Sequence, residues 1–410
     1  MKALVFRLNI PRIALAKLLG FFSDRAYLGR FSALRLEEIP EPRLPADDWV
    51  LIRARICGIC GSDYKQVFAD GNLDNPMTSL ISFPQVLGHE VVGTVERVGP
   101  GVRTRKVGDR VVLNPWLSCA PRGIQPPCPS CAGGNFSRCY NFKKGILAPG
   151  IHTGNSSTAT GGFAPLVPAH ESMCISVPDA VTDEQAVLSD PFSVSLHAVL
   201  NCPPAEADTV VVYGCGTLGL LNIAILKALF PKTRIIAVYR HQHQKQLALR
   251  FGAERALPWR PAREIIPALS ALTGAEVLVP DHGKPMLNGG AQVVYDTVGT
   301  AESMEISVRI CDYRGRMVIT GVGTPKRFEW TPLYFKEVAI IGSNAFGCET
   351  WAGERKHAFE FYFDLICTRG LDVTPVLTHR FRQEQYADAF LACRRQGKSG
   401  AVKVLFEYPV

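Results

Sequence analysis

The spacing of apolar positions in the first half of the chain predicts short strands. Residues 37–175 are rich in Val, Gly and Pro, and β-like runs occupy residues 49–56, 91–98 and 110–113. Turn sequences such as Gly99-Pro100-Gly101 separate these runs. The pattern indicates a compact β-rich domain.

From about residue 193 the pattern changes to strands that alternate with helices. A β-branched run at 209–213 leads into Gly214, and the apolar stretch 217–230 predicts a helix that is buried on several sides. Further strands are predicted at 234–238, 292–296, 316–320 and 338–341, and further helices near 243–251 and 301–310. This alternation predicts an α/β fold with a doubly wound parallel sheet and helices on both of its faces.

Length and composition predict a globular protein of two or three domains. The 410 residues exceed the size of one ordinary domain. With 47% hydrophobic and 20% charged residues, the chain can form a sizeable core, which excludes wholesale disorder. No apolar run reaches the ~20 residues that a membrane-spanning helix needs.

Positive charge is concentrated at the N-terminus. The net charge is +8, and within residues 1–36 the only acid is Asp24. The basic residues of that segment are Lys2, Arg7, Arg12, Lys17, Arg25, Arg30 and Arg35. Because the remainder is nearly neutral, a nucleic-acid groove is not expected. A signal peptide is the alternative for this segment, but Lys17 interrupts the apolar stretch and no convincing cleavage site follows it. We therefore expect a cytoplasmic protein.

A glycine motif stands between a predicted strand and a predicted helix. Gly214, Gly216 and Gly219 form G-x-G-x-x-G, in which the glycines permit a tight turn, close approach of a pyrophosphate, and helix–strand packing. The free amides of the next turn, at Thr217 and Leu218, would bind the pyrophosphate. The alternative is a glycine-rich turn without a ligand, but the surrounding strands and helix favour a dinucleotide site.

The end of the second strand favours NADP over NAD. An acidic residue about 20 positions after the last glycine would bind the ribose hydroxyls of NAD. Here that count reaches Tyr239, and Arg240 follows it. A guanidinium group suits the 2′-phosphate of NADP. The alternative is a solvated basic helix start without cofactor preference.

Four of the thirteen cysteines lie close together in a segment rich in Pro and Gly. They are Cys119, Cys128, Cys131 and Cys139. Four thiolates without an open position form a closed tetrahedral zinc site, which is structural. The step from Cys119 to Cys128 is long, so Cys119 is the weakest member of the predicted set. The alternative is four unconnected thiols in a loop.

Several further segments gain meaning through a family resemblance. Cys60 lies in G-I-C-G-S-D, His89 in G-H-E-V-V-G-T-V and Asp190 in S-D-P, and G-K-S-G-A-V-K occupies residues 397–403. Together with the glycine motif and the four cysteines, these segments resemble the medium-chain dehydrogenase/reductase superfamily and its zinc-dependent alcohol dehydrogenases of the polyol or sorbitol type. The similarity covers about residues 34–271 and 291–410.

The resemblance implies a zinc-dependent oxidoreductase that transfers hydride reversibly between an alcohol or polyol, or the corresponding carbonyl, and NADP(H) or NAD(H). It implies that Cys60 and His89 bind a catalytic zinc ion, with Glu90 as a direct or exchanging ligand. Asp190 occupies the position of a further ligand, and Ser62 would take the first proton. Two alternatives stay open: a lyase or epimerase that uses bound nicotinamide transiently, and a nucleotide-binding protein that is non-catalytic or redox-sensing.

The sequence departs from the family pattern at several places. Lys65 stands where many members have a histidine that continues the proton relay, which leaves the relay beyond Ser62 open. Residues 272–290 are expected to form an inserted loop with a solvated tip. Residues 8–33 interrupt an N-terminal hairpin with a segment that is apolar on more than one helical face. This insertion is interpreted as a core-packed helix or subunit contact, a lid over an apolar pocket, or a membrane contact.

The resemblance also implies the domain organisation. A GroES-like catalytic domain is expected over residues 1–192, with the structural zinc lobe at 114–143. A Rossmann nucleotide-binding domain would follow at 193–346, and residues 347–410 would return to the catalytic domain. We expect the active site between the domains and a homo-dimer or homo-tetramer that acts on a small-molecule alcohol or carbonyl.

Overall fold

The computed structural model describes residues 1–71, 74–321, 323 and 328–409. The chain forms two compact units: unit 1 comprises Met1–Asp190 and Lys356–Val410, and unit 2 comprises Pro191–Arg355. The chain thus passes between units after residues 190 and 355, whereas the domain prediction placed these points after residues 192 and 346. Among the described residues, no helix is long and apolar enough to cross a membrane.

The regular elements of the described residues fall into strands and helices. The strands are β1 Lys2–Phe6, β2 Leu34–Glu38, β3 Trp49–Gly58, β4 Gln85–Val86, β5 Glu90–Val98, β6 Arg110–Leu113, β7 Leu166–His170, β8 Cys174–Ser176, β9 Thr209–Tyr213, β10 Arg234–Tyr239, β11 Arg255–Pro258, β12 Glu276–Leu278, β13 Met286–Asn288, β14 Ala291–Asp296, β15 Cys311–Ile319, β16 Ala339–Gly342, β17 Cys348–Trp351, β18 Glu354–His357, β19 Leu377–Arg382 and β20 Lys403–Glu407. The helices are α1 Ile10–Gly20, α2 Gly61–Val67, α3 Pro129–Ala132, α4 Asp183–Ala186, α5 Ser189–Asn201, α6 Thr217–Leu229, α7 Gln242–Arg250, α8 Ala262–Thr273, α9 Ala301–Ile310, α10 Thr331–Phe335, α11 Ala358–Arg369, α12 Tyr386–Arg394 and α13 Gln396–Ser399.

Unit 1 is built around a sheet that joins strands from residues 49–176 with two strands from the C-terminal part of the chain. Its strand order is β19-β20-β3-β5-β6-β8, and β7 also pairs with β3. The register aligns Gly58 of β3 with Glu90 of β5 and with Leu405 of β20. Apolar side chains of these strands and of α12 pack into one core. Because β20 lies beside β3, residues near position 403 are brought to the segment that precedes Cys60.

The insertion at residues 8–33 leaves an N-terminal hairpin intact. Strands β1 and β2 pair antiparallel from Lys2↔Glu38 to Phe6↔Leu34, and α1 lies between them in the sequence. The side chain of Asn9 caps α1 by accepting from the amide of Arg12. After α1, a short 3₁₀ turn places the ring of Tyr27 5.3 Å from the ring of Phe68, at the end of α2. The insertion thus folds as a helix and a turn that rest on unit 1.

Unit 2 contains a six-stranded sheet in which each neighbouring pair is parallel. The order β11-β10-β9-β14-β15-β16 corresponds to the Rossmann arrangement 3-2-1-4-5-6. The tip expected within residues 272–290 is exposed at Asp281 and His282, but the rest of the segment is a hairpin and not an irregular loop. The strands β12 and β13 pair within it, Leu287 is fully buried, and Lys284 Nζ lies 2.5 Å from Glu305 Oε2. Apolar residues of this segment join the core, which prevents it from being wholly solvated.

Candidate metal and cofactor sites

The structure brings the four cysteines of the predicted zinc lobe together. The sulfur atoms of Cys119, Cys128, Cys131 and Cys139 all lie within 4.8 Å of one another, and none is in a disulfide. Cys119, which sequence spacing made the weakest member, has its sulfur 3.6 Å from that of Cys139. Zinc–sulfur bonds of ~2.3 Å in tetrahedral geometry need sulfur atoms roughly 3.8 Å apart. The four thiols therefore fit a zinc ion.

Polar groups around this lobe suit thiolates. Asn141 donates to Cys119 Sγ through its side chain at 3.2 Å and to Cys139 Sγ through its backbone at 3.3 Å. Arg122 is fully buried beside the cluster, and burial lowers its pKa to about 10, still well above neutrality. Its guanidinium donates to the carbonyls of Leu117, Lys144, Leu147, Ala148 and Gly150. A buried cation next to four thiolates offsets part of their negative charge. Sequence analysis did not assign a role to Arg122.

The second cluster combines sulfur, nitrogen and oxygen. Ligand atoms of Cys60, His89 and Glu90 lie within 4.8 Å of one another. Cys60 directly precedes α2, His89 directly precedes β5, and Glu90 begins that strand. Asp63 ties the two segments together, because it accepts from the amide of Cys60 at 3.0 Å and from the amide of Gly88 at 3.4 Å. The G-I-C-G-S-D motif contained Asp63, but sequence analysis gave it no role.

A buried lysine balances the carboxylate of this cluster. Lys403 forms an ion pair with Glu90, and its Nζ donates to the carbonyl of Ile59 at 3.0 Å. Burial lowers the pKa of Lys403, but the negative charges of Glu90 and Cys60 outweigh this and raise the pKa overall. A Cβ at Gly58 would lie only 2.0 Å from Glu90 Oε2, so only glycine leaves room for the pair.

Asp190 is buried near this cluster, but it does not belong to the set of residues whose ligand atoms all lie within 4.8 Å of one another. Burial raises the pKa of its carboxyl to about 7, partly against the positive charge of His89. Its Oδ2 and the Nδ1 of His89 are buried without a hydrogen-bond partner among the described residues. A buried nitrogen atom and a buried oxygen atom that make no hydrogen bond, beside a thiol, are suitable ligands for a zinc ion.

Neighbouring side chains set the electrostatics of His89. Burial lowers the pKa of His89, but the negative charges of Asp63 and Cys60 raise it by more, so the pKa lies above its ordinary value. The charges around His89 therefore attract a cation. The ring of His152 lies 4.4 Å from that of His89. Burial, and then the charge of His89, lower the pKa of His152 to about 3, so His152 is neutral near pH 7. Nothing in the sequence around His152 indicated this position.

The two residues of the expected proton relay lie on α2. Ser62 is exposed in the first turn, one residue after the helix begins. Lys65 is half-buried one turn later. Burial lowers the pKa of Lys65, while the charges of Asp70 and Cys60 raise it.

The glycine motif of unit 2 forms a cradle between β9 and α6. Gly214 has φ +98°, and a Cβ at Gly219 would lie 1.8 Å from the carbonyl oxygen of Gly214. A Cβ at Gly216, by contrast, would meet open space. Packing thus does not require glycine at position 216, whereas close approach of a ligand to the backbone would. Thr217 and Leu218 form the first turn of α6, and the N-terminal end of a helix can bind a pyrophosphate.

Arg240 lies exposed at the turn between β10 and α7, directly after buried Tyr239. The side-chain oxygen of Gln244 accepts from the amides of Arg240 and His241, both at 3.0 Å. The backbone of this turn is therefore fixed, while the guanidinium group is open to solvent.

Comparisons with known proteins decide the family. Residues 46–179 match the alcohol dehydrogenase GroES-like domain, and residues 217–360 match the zinc-binding dehydrogenase family. A probable diacetyl reductase [(R)-acetoin forming] of Saccharomyces cerevisiae is 30% identical over 75% of this chain and 72% of its own length. The chain belongs to the zinc-dependent medium-chain dehydrogenase/reductase family.

Other members of this dehydrogenase family support the assignment. A sorbitol dehydrogenase of Arabidopsis thaliana is 26% identical over 93% of this chain and 94% of its own length. The crystal structure of 2R,3R-butanediol dehydrogenase from Bacillus subtilis superimposes with a TM-score of 0.70 at 25% identity, covering 92% of this chain and 96% of that one. The expected fold class, with a GroES-like domain and a Rossmann sheet, is confirmed.

The family also confirms the class of enzyme. This dehydrogenase transfers hydride between an alcohol or polyol, or the corresponding carbonyl, and a nicotinamide cofactor, and it uses zinc. These relatives favour the dehydrogenase over the lyase, epimerase and non-catalytic alternatives. Its substrates are therefore small alcohols or carbonyl compounds.

Proposed function

We propose that this dehydrogenase oxidises a secondary alcohol that stands next to a second oxygen-bearing carbon, or reduces the corresponding ketone, with NADP(H) as cofactor. The observation that carries the proposal is the mixed cluster of Cys60, His89 and Glu90 beside a buried lysine. The substrate class is supported by the relatives, since diacetyl, acetoin, butanediol and sorbitol all carry oxygen atoms on adjacent carbons.

In this proposal, Cys60, His89 and Glu90 would hold the catalytic zinc ion, with Asp190 as a further candidate ligand. Zinc bound there supplies a Lewis acid that polarises the substrate oxygen. Lys403 forms an ion pair with Glu90, and Asp63 fixes the backbone before α2. Ser62, in the exposed first turn of α2, would accept the proton of the substrate hydroxyl. The second zinc ion would be held by Cys119, Cys128, Cys131 and Cys139.

The metal assignment is tested by elemental analysis of protein purified without chelator. About two zinc ions per chain are expected, one for a closed and one for an open site. Cys60→Ala should lose one ion and keep the other. A single ion that persists in Cys60→Ala and is lost in Cys131→Ala would overturn the catalytic zinc site.

The substrate class is tested with a panel scored by cofactor reduction. Vicinal diols and polyols, such as 2,3-butanediol and sorbitol, should give a higher kcat/KM than ethanol or benzyl alcohol. Equal kcat/KM values for diols and simple alcohols would contradict the substrate class while leaving the enzyme class untouched.

The cofactor preference is tested at Arg240. Its guanidinium would pair with the 2′-phosphate of NADP, and a charge-assisted pair of this kind contributes about 1.5–3 kcal/mol, roughly tenfold or more in affinity. Arg240→Ala should therefore weaken NADPH binding at least about tenfold and leave NADH binding unchanged. Arg250→Ala, an exposed arginine at the far end of α7, is the matched control. Equal affinity of the unsubstituted enzyme for NADPH and NADH would contradict the preference.

A homo-dimer or homo-tetramer located in the cytoplasm completes the proposal, and the family resemblance is its support. Sedimentation velocity tests the assembly, and a purely monomeric species at micromolar concentration would contradict it.

A further inference from the structure

Helix α1 has an apolar face directed to solvent. Along a helix of 3.6 residues per turn, Ile13, Ala16 and Gly20 share one side. Ala16 is buried, Ile13 packs against the core of unit 1, and a Cβ at Gly20 would meet the ring of Tyr27. This side therefore faces the protein, and the opposite side faces solvent.

The solvent side carries large hydrophobic residues instead of polar ones. Leu15, Leu18 and Phe22 follow one another at spacings of three and four residues. Phe21 and Phe22 are each 87% exposed, and Leu18 is 62% exposed. The exposed apolar residues of α1 and its end are Ile10, Leu15, Leu18, Leu19, Phe21 and Phe22. Apolar residues of this size at the surface mark an interaction site when they are contiguous.

Cations without acidic partners border this apolar face. Arg12 and Lys17 lie on its two margins in the helical projection, and Arg30 follows after the 3₁₀ turn. Among the described residues, none of these three forms an ion pair, whereas Arg7 pairs with Glu37. The nearby acid Asp24 is already paired with Arg394 and Arg395. The face therefore presents an apolar centre with a positive border.

We propose that α1, with Arg30 and Phe31 after it, binds the surface of an anionic lipid bilayer. The leucines and phenylalanines would enter the boundary between headgroups and acyl chains, while Arg12, Lys17 and Arg30 would contact lipid phosphates. Charge complementarity favours this occupant over a second copy of the chain. Two copies of the face in contact would bring like charges together without supplying free acids.

The test is co-sedimentation of the full-length enzyme with vesicles of phosphatidylcholine alone and of phosphatidylcholine with about a third phosphatidylserine. The enzyme should bind the anionic vesicles roughly a hundredfold more tightly than the neutral ones, because three cations contribute roughly fivefold each near an anionic surface. Raising the salt concentration should weaken binding.

Two substitutions separate the apolar and the charged contributions. Leu18→Glu together with Phe22→Glu should abolish binding, and Lys17→Gln should weaken it about fivefold. Tyr334→Glu is the matched control, since Tyr334 is 82% exposed but lies in unit 2. All variants should keep the alcohol oxidation rate of the unsubstituted enzyme in solution, which shows that they are folded.

Absence of binding to anionic vesicles at low salt would overturn the proposal. Equal binding to neutral and anionic vesicles would overturn the role of the cations. If the enzyme instead dissociates to smaller oligomers when Leu18 and Phe22 are replaced, and does not bind vesicles, a second copy covers the face. The outcome does not depend on the substrate or cofactor proposed above.

Discussion

The two metal-binding clusters of unit 1 are assembled from chain segments of very different separation. The four cysteines lie between residues 119 and 139 and are joined by local turns. The mixed cluster joins Cys60 and His89 with a charge partner, Lys403, from the last strand. A local, all-sulfur cluster can form early and stabilise its own lobe. A mixed cluster needs the finished sheet, because its carboxylate is buried only when the lysine is in place.

The largest effect should come from removing one sulfur from each cluster. Cys60→Ser should reduce the oxidation rate below detection while the melting temperature changes little, because the sheet around it stays complete. Cys131→Ser should lower the melting temperature strongly, since structural zinc contributes folding free energy directly. Zinc content, kcat and thermal unfolding measured on both variants decide this. If both substitutions lower activity and stability equally, the division of roles is wrong.

The next-largest effect is expected at Lys403, which is distant in sequence from its partner Glu90. Lys403→Met leaves Glu90 buried without its counter-charge, which should cost about 3–5 kcal/mol in the free energy of unfolding. Adding Glu90→Gln to Lys403→Met removes that charge and should restore much of the stability without restoring activity. Urea unfolding of the two variants measures the difference. A double variant as unstable as the single one would show that the ion pair is not the cause.

A smaller effect is expected in the four-cysteine lobe. Arg122→Leu leaves five backbone carbonyls without their donor and should destabilise the protein by about 3 kcal/mol. Arg138→Leu, which removes an exposed guanidinium from the same lobe, is the control and should change stability by less than about 0.5 kcal/mol. Equal effects of the two substitutions would contradict the role assigned to Arg122.

The smallest effect is a pH dependence from His152, whose ring lies beside that of His89. The pKa of His152 is lowered to about 3 in the folded protein, so the unfolded chain binds a proton first as pH falls below about 6.5. This group therefore removes stability between about pH 6.5 and about pH 3. Between pH 7 and pH 5, His152→Gln should lose roughly 2 kcal/mol less than the unsubstituted protein. Parallel stability curves for the two proteins would rule out this contribution.

Local sequence signals predicted much of the fold. The strand at 209–213 and the helix at 301–310 match β9 and α9 in both bounds, because each is a strongly patterned segment with clear flanking residues. A helix was among the interpretations of the insertion at residues 8–33, and α1 lies within it at Ile10–Gly20. The hairpin at 276–288 was missed, since each of its strands is only three residues long.

The candidate sites also divide into residues that local sequence patterns predicted and residues that they did not predict. Cysteine spacing and the glycine motif are short-range patterns, and the structure brings their residues together as the patterns suggested. Lys403 and His152 are distant in sequence from the residues that they contact, and each is an ordinary residue in its own segment. They acquire a role only in the folded chain, where β20 pairs with β3 and residue 152 forms an isolated β-bridge.

The N-terminal hairpin has a consequence for how this chain can vary. Phe6 pairs with Leu34, and the amide of Arg7 donates to the carbonyl of Ala33 at 3.0 Å, so the two ends of the insertion are adjacent. Segments of different length can therefore be exchanged at this point without shifting the register of either strand. The hairpin is therefore a position that accepts insertions. A short turn could replace residues 8–33, and the same segment could be grafted onto a related hairpin.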